Sequence, residues 1–272
     1  MIIRLQGRCK WCMWNIKEEE LDEFRMTCRR RLSPEGATGF MMGTIIFVSL
    51  LMFFIFVALV TDGWDYYSTL FDKIIVAIEL VLYSLQIIFL ILFLFPKARF
   101  KFQKLQTLVV LLYAFQLGTI TFTALVLPGM TNYSIDRMTL ICVGLLFLGA
   151  VIVHIETTID TFKQASEGAF SMDERSRSFF SEKKGKLIKC STVYILVLLM
   201  TIYFHNDYEF DTLILYVVGT IIMYAVAIGA AEFQLLVYCR FKFKSFNMTW
   251  EENERQRQKF RKYNKKNKSK SR

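Results

Sequence analysis

Six long blocks of almost uninterrupted apolar residues constrain this chain more than any other feature. A helix needs about 20 apolar residues to cross the roughly 30 Å hydrocarbon core of a bilayer. Blocks this long and continuously apolar favour helices over the short alternating strands of a membrane barrel. The sequence therefore predicts an all-α polytopic membrane protein, a bundle of six transmembrane helices. The blocks cover residues 40–60, 74–95, 105–127, 139–155, 187–204 and 213–239.

The composition supports this class of protein. Apolar residues make up 54% of the chain, and the 21% that are charged gather between the apolar blocks. This segregation excludes a disordered chain, a disulfide-rich secreted module and an ordinary soluble enzyme.

The distribution of basic residues predicts the orientation. All but two of the 34 Lys and Arg residues, Lys73 and Arg137, lie in the N-terminal arm, after the second and fourth blocks (with Lys189 just inside the fifth), or in the C-terminal tail. Positive residues collect on the cytoplasmic side of a membrane protein. Both termini are therefore predicted to be cytosolic, in the endoplasmic reticulum or the plasma membrane.

Three regions follow from this pattern. Residues 1–37 form a cytosolic amphipathic arm, residues 38–239 the transmembrane domain with a cytosolic loop at about 156–186, and residues 240–272 a basic cytosolic tail. The arm contains acids followed by arginines, an order that suits a helix dipole. Its helix is expected either to lie on the membrane surface or to pack on the cytosolic loops.

Ionisable and amide side chains inside the apolar blocks are the strongest functional signal. Glu79, Tyr83 and Gln86 share one helix face, Gln116 lies in the third block, and Glu232 lies in the sixth. A carboxylate in hydrocarbon costs about 2.5–3.5 kcal/mol on insertion scales, so these groups should face protein or a water-filled cavity. No Lys or Arg is expected at a comparable depth. The two acids either form a polar path or stabilise helix interfaces.

Two functions remain open at this stage. The first is a small transporter or channel-like protein that uses Glu79, Tyr83, Gln86, Gln116 and Glu232 as its path. The second is a non-enzymatic adaptor, receptor or assembly factor that acts through its cytosolic segments. No phosphate-binding glycine loop, nucleophile elbow or zinc-binding HExxH helix is present, so neither enzymatic activity nor a cofactor is expected.

The cysteines suggest a modification rather than a metal site. Cys9 and Cys12 resemble half of a zinc motif, but with Cys28 they make only three ligands, and both histidines are far away in the sequence. Zinc sites need about four ligands, so no metal is expected. Acylation of Cys9, Cys12 or Cys239 beside the bilayer is the alternative to free thiols.

Two short motifs complete the predictions. Asn132 lies in a glycosylation sequon on the outer side. Lys268 and Lys270 occupy the fifth and third positions from the end, a pattern that looks like a dilysine retrieval signal read by coat proteins. The expected partners are the bilayer, anionic lipids at the cytosolic face, the retrieval machinery, and a membrane-protein partner or second copy. Nucleic acid is not expected, because lipid is the nearer polyanion.

Overall fold

The computed structural model describes residues 16–127, 135–171, 182–205, 210–255 and 258. Helices account for 89% of the structure, and no residue in these ranges belongs to a strand. This confirms the all-α fold class.

Six of the helices are long and apolar enough to cross a membrane. Each predicted block coincides with one of them, and only the blocks at 74–95 and 105–127 extend past their helix, by one residue each. The blocks at 139–155 and 187–204 are the shortest, but their helices have 30 and 24 residues because the backbone hydrogen bonds continue into the charged flanks. The long helices are α2 (Pro34–Thr61), α3 (Leu70–Leu94), α5 (Gln103–Val126), α6 (Arg137–Ser166), α7 (Glu182–His205) and α8 (Phe210–Lys242).

Two short helices and three 3-10 turns join these elements. Helix α1 (Asp22–Arg30) belongs to the arm, and α4 (Pro96–Lys101) links α3 to α5. The turns are Glu18–Leu21, Gly63–Tyr66 and Lys244–Phe246.

Side-chain caps fix the beginnings of three long helices. The Ser33 hydroxyl accepts a hydrogen bond from the Gly36 amide at the start of α2, and Thr69 caps α3 in the same way. The Asp136 carboxylate accepts from two amides at the start of α6. Such caps satisfy amides that have no partner within the helix, and each is worth about 1 kcal/mol.

The long helices form two groups of three. Helix α5 is the most buried and packs against α2 and α3, whereas α8 packs against α6, and α7 contacts mainly α6. The interface between α5 and α8 is the most extensive in the fold and joins the two groups. Outward faces of α2, α3 and α7 expose large apolar side chains such as Phe53, Ile78 and Val197. Apolar surfaces this extensive suit contact with lipid.

The arm packs on the end of the bundle at which α2 begins and α8 ends. Its apolar face is buried against the end of α6, Phe170 and the end of α8. The Phe24 ring contacts the rings of Phe170 and Phe246, with centroid separations of 5.8 and 6.1 Å. The expected placements of the arm helix were on the membrane surface or packed on protein. In the structure it packs on protein. The buried arm residues are Ile16, Leu21, Phe24, Cys28 and Leu32.

Candidate functional site

Glu79 lies in the interface between α3 and α5, where its carboxylate is surrounded by protein. The residue is 3% exposed. Gln116 Nε2 donates to one carboxylate oxygen at 3.2 Å, and Thr123 Oγ1 donates to the other at 3.0 Å. Gln116 and Thr123 are two turns apart on α5, so one helix face supplies both donors. Their hydrogen bonds offset much of the cost of burying a carboxyl group.

Tyr83 and Gln86 continue the same polar seam but contact different partners. The Tyr83 hydroxyl lies 2.8 Å from the Ser49 hydroxyl on α2. The backbone carbonyl of Gln86 accepts a hydrogen bond from the Tyr113 hydroxyl. Its side-chain amide is fully buried and has no hydrogen-bond partner among the residues that the structure describes.

Glu232 lies elsewhere, where α8 approaches the arm, and forms an ion pair with Arg31. The sequence-based expectation that no cation reaches a comparable depth is therefore wrong. Arg31 stands between α1 and α2, and its long side chain extends back over α8 to the carboxylate. Lys184, at the start of α7, also lies within electrostatic reach of Glu232. The structure thus does not bring Glu79 and Glu232 together.

A cavity of about 350 Å³ lies beside this ion pair, between α2, α5 and α8. We call it the inner-edge cavity, because it lies at the end of the bundle that the sequence predicts to be cytosolic. Its polar lining is supplied by Arg31, Glu232, Arg240 and Thr107, and its walls are mostly apolar. The other lining residues are Leu32, Gly36, Ala37, Phe40, Val110, Gly229, Phe233 and Leu236.

Arg240 is the least expected member of the cavity, because the residue is only 1% exposed. Its guanidinium donates to the Thr107 hydroxyl, to the Leu32 carbonyl at 2.9 Å and to the Gln103 carbonyl at 3.4 Å. Within the described ranges, no carboxylate is close enough to form an ion pair with it, and its Nε has no acceptor. Arg240 falls in the tail predicted from the sequence, although the apolar residues on both sides of it were a signal of burial.

A second cavity of about 740 Å³ lies on the other side of the ion pair. The arm, α7 and α8 line it, and it shares Arg31, Gly229 and Glu232 with the inner-edge cavity. Gly229 is exposed, and a Cβ added there would meet nothing within 4 Å. The absence of a side chain therefore leaves space on both sides of the ion pair.

A third polar group joins α6 to α8. His154 Nδ1 lies 2.8 Å from the Ala227 carbonyl, and its Nε2 lies 3.0 Å from the Gln234 amide nitrogen. Thr158 donates to the Gln234 carbonyl oxygen at 2.8 Å. Since the amide nitrogen only donates, the ring accepts at Nε2 and carries its hydrogen on Nδ1. This group therefore joins α6 to α8 through a chain of hydrogen bonds.

The remaining predicted site residues divide into two sets. Cys239 is fully buried, which gives no support to its acylation, because an acyl donor could not reach the thiol. No group of three or more metal-ligating side chains occurs in the described part of the chain. Cys9, Cys12, Asn132, Lys268 and Lys270 lie outside the described residues.

Comparison with known proteins adds no relative: no family model matches the chain, and neither a curated protein nor a solved structure is similar to it at a significant level.

Proposed function

We propose that this chain is a multi-pass integral membrane protein with both termini in the cytosol, and that it is a non-enzymatic adaptor or receptor acting through its cytosolic face. One observation carries the proposal. The charged cavity lining, Arg31, Glu232 and Arg240, lies at the end of the bundle where the arm packs. Glu79, by contrast, does not line the cavity, because its carboxyl group is enclosed in the interface between α3 and α5.

The orientation is supported by which helix ends meet. Hydrogen bonds from Arg240 join the end of α8 to Leu32, just before α2, and to the beginning of α5. An ion pair between Lys183 and Glu156 joins the beginning of α7 to α6. These ends carry the basic residues, which are the cytosolic ones by the positive-inside rule. The arm, the loop after α6 and the tail would then form one cytosolic surface.

Site-specific photo-crosslinking in cells tests the adaptor role. A photoreactive side chain at Glu23 or Met26, on the exposed side of α1, should crosslink a defined protein partner or a second copy of the chain. The same group at Val57, on the exposed apolar side of α2, is the matched control and should not crosslink that partner. Equal crosslinking from both positions, or none from α1, would contradict the proposal.

Transport is the second candidate, and Gln86 is the observation that favours it. Its buried amide has no described partner and lies in the same seam as Glu79, so the seam has hydrogen-bonding capacity left for water or an ion. A pH-dependent flux in proteoliposomes that disappears in Glu79→Gln, with folding intact, would establish this candidate over the adaptor. The absence of any flux with the wild-type protein, or a flux that Glu79→Gln leaves unchanged, would remove this candidate.

A further inference from the structure

We infer that the inner-edge cavity binds the phosphodiester headgroup of an anionic phospholipid, with Arg240 as the principal cation. The inference rests on the membrane insertion and orientation in the proposed function, and it adds a specific ligand class to them. It differs from general attraction of lipid to the basic tail, because it names one buried side chain and one cavity.

The charge on Arg240 is not balanced by its described neighbours. A buried guanidinium is costly unless it is paired, and its three described acceptors are two carbonyls and a hydroxyl. Its Nε still lacks an acceptor. Outside the described ranges, the only acids in the predicted cytosolic segments are Asp173 and Glu174. An anion in the cavity would supply the charge that the described neighbours do not.

The charged residues of the cavity lining have a net positive charge. Arg31 and Glu232 form an ion pair and largely cancel one another. One positive charge, that of Arg240, remains in the lining. A phospholipid phosphodiester carries a single negative charge and matches it. A ligand with several phosphates would bring excess negative charge close to the Glu232 carboxylate.

The size and lining of the cavity suit a lipid headgroup. A volume of about 350 Å³ lies within the range of about 300–1,000 Å³ found for small-molecule sites. Ala37, Phe40, Val110 and Phe233 form apolar walls, which suit the glycerol and first methylenes of a lipid better than a free, fully hydrated phosphate. The cavity also lies at the predicted cytosolic edge, where phosphodiesters are concentrated.

An apolar route for the acyl chains leads away from the cavity. Exposed residues recur along one side of α8 at Val218, Ile221, Ala225 and Gly229. These positions are three or four residues apart, so they line one face of the helix. Ala225 lines the second cavity, and Gly229, where the face ends, lines both cavities. A lipid with its phosphate at Arg240 could therefore lay a chain against α8.

A binding titration on the purified full-length protein in uncharged detergent tests the inference. Short-chain phosphatidylglycerol, short-chain phosphatidylcholine and inorganic phosphate are added separately, and binding is followed through the rise in Tm. Phosphatidylglycerol should bind saturably and more tightly than phosphatidylcholine. Inorganic phosphate at millimolar concentration should neither stabilise the protein nor displace the lipid.

Two variants with matched controls locate the site. Arg240→Gln should weaken phosphatidylglycerol binding by about tenfold or more, because a charge-assisted contact is lost. Arg255→Gln removes an equal charge from an exposed residue of the tail and should leave binding unchanged. Gly229→Leu should fill the cavity and weaken binding even if Arg240→Gln does not fold. Gly144→Leu, at another open glycine outside the cavity lining, should have no effect.

Several results would overturn the inference. One is equal loss of binding in Arg240→Gln and Arg255→Gln, which would indicate general attraction to basic residues. Others are wild-type binding by Gly229→Leu, equal affinity for the two lipids, and displacement of lipid by inorganic phosphate. Lipid binding by the Asp173→Asn, Glu174→Gln double variant but not by the wild-type protein would also overturn it, because one of these acids would then balance the charge of Arg240. If the wild-type protein does not bind lipid but α1 still crosslinks its partner, this inference alone is refuted. Extraction of the protein from membranes by alkaline carbonate would refute the proposed function as well.

Discussion

At the scale of single residues, Glu79 has the contacts of a structural group. Replacing it with Leu should lower the free energy of unfolding by about 1–3 kcal/mol, because the buried donors of Gln116 and Thr123 would lose their acceptor. Replacing it with Gln should cost less, since Gln116 Oε1 has no described partner and its amide can turn to accept. Reversible unfolding in mixed micelles measures both values.

Thr119→Val is the control for these variants. Thr119 lies on α5 between Gln116 and Thr123, and its hydroxyl bonds only to a carbonyl of its own helix. Its substitution should change the free energy of unfolding by well under the cost of Glu79→Leu. Equal stability of Glu79→Leu and wild type would show that the network does not hold α3 to α5.

Cys28 makes a pH-dependent contribution to stability. Burial, opposed in part by nearby Arg240, raises the pKa of this thiol well above its ordinary value. The unfolded chain therefore loses the thiol proton first as the pH rises, so folding stability falls above the ordinary thiol pKa of about 8.5. Between pH 8 and pH 10, Cys28→Ala should lose less stability than wild type. Parallel pH profiles of the two proteins would show that Cys28 does not contribute.

Some residues of the candidate site could be identified from the sequence and others could not, for a physical reason. Glu79 and Gln116 were found because polar side chains are rare inside apolar blocks. Arg31 and Arg240 were missed as site residues because the sequence places them in the arm and the tail, where basic residues are common. Only the packing of the arm and the start of α5 around the end of α8 buries Arg240, and that packing depends on contacts far apart in the chain.

At the scale of helices, the arm is held by its aromatic contacts. Phe24→Ala should destabilise the arm by about 3–5 kcal/mol, because the ring is buried between Phe170 and Phe246. Met26→Ala, on the same helix but 41% exposed, should have an effect within about 0.5 kcal/mol. Hydrogen exchange of the α1 amides measures the difference. Unchanged protection in Phe24→Ala would show that the arm is not anchored there.

The apolar blocks predicted which segments form long helices but not where these helices end. Hydrophobicity reports the apolar part of a helix, whereas α6 continues to Ser166 and α7 begins at Glu182 through polar residues. Ser33, Thr69 and Asp136 were available as cap signals just before three of the helices. The pairing of α5 with α8 was not predictable, since every apolar face can pack against lipid or protein.

At the scale of the whole molecule, the two termini should be accessible from the same compartment. Epitope tags placed at residues 1 and 272 should both react after the plasma membrane alone is permeabilised, because the positive residues select the cytosolic side. A tag in the loop between α2 and α3 should react only after the internal membranes are opened, or from outside intact cells. Termini in opposite compartments would contradict the bundle of six spans.

The cellular location of the protein is a separate prediction. If Lys268 and Lys270 are read as a retrieval signal, changing both to Ala should move the protein from the endoplasmic reticulum to the cell surface. Lys265→Ala with Lys266→Ala removes the same charge outside the motif and should leave its location unchanged. Microscopy with surface biotinylation distinguishes the two outcomes. Retention of the Lys268→Ala, Lys270→Ala variant would refute the signal.

The length of α8 has a mechanical consequence. Its 33 residues make a rod of about 50 Å, longer than the roughly 30 Å hydrocarbon core. A tilt of about five degrees around its midpoint moves the end of such a rod by about 2 Å. The arm rests on that end, so changes in bilayer thickness would shift the arm together with it.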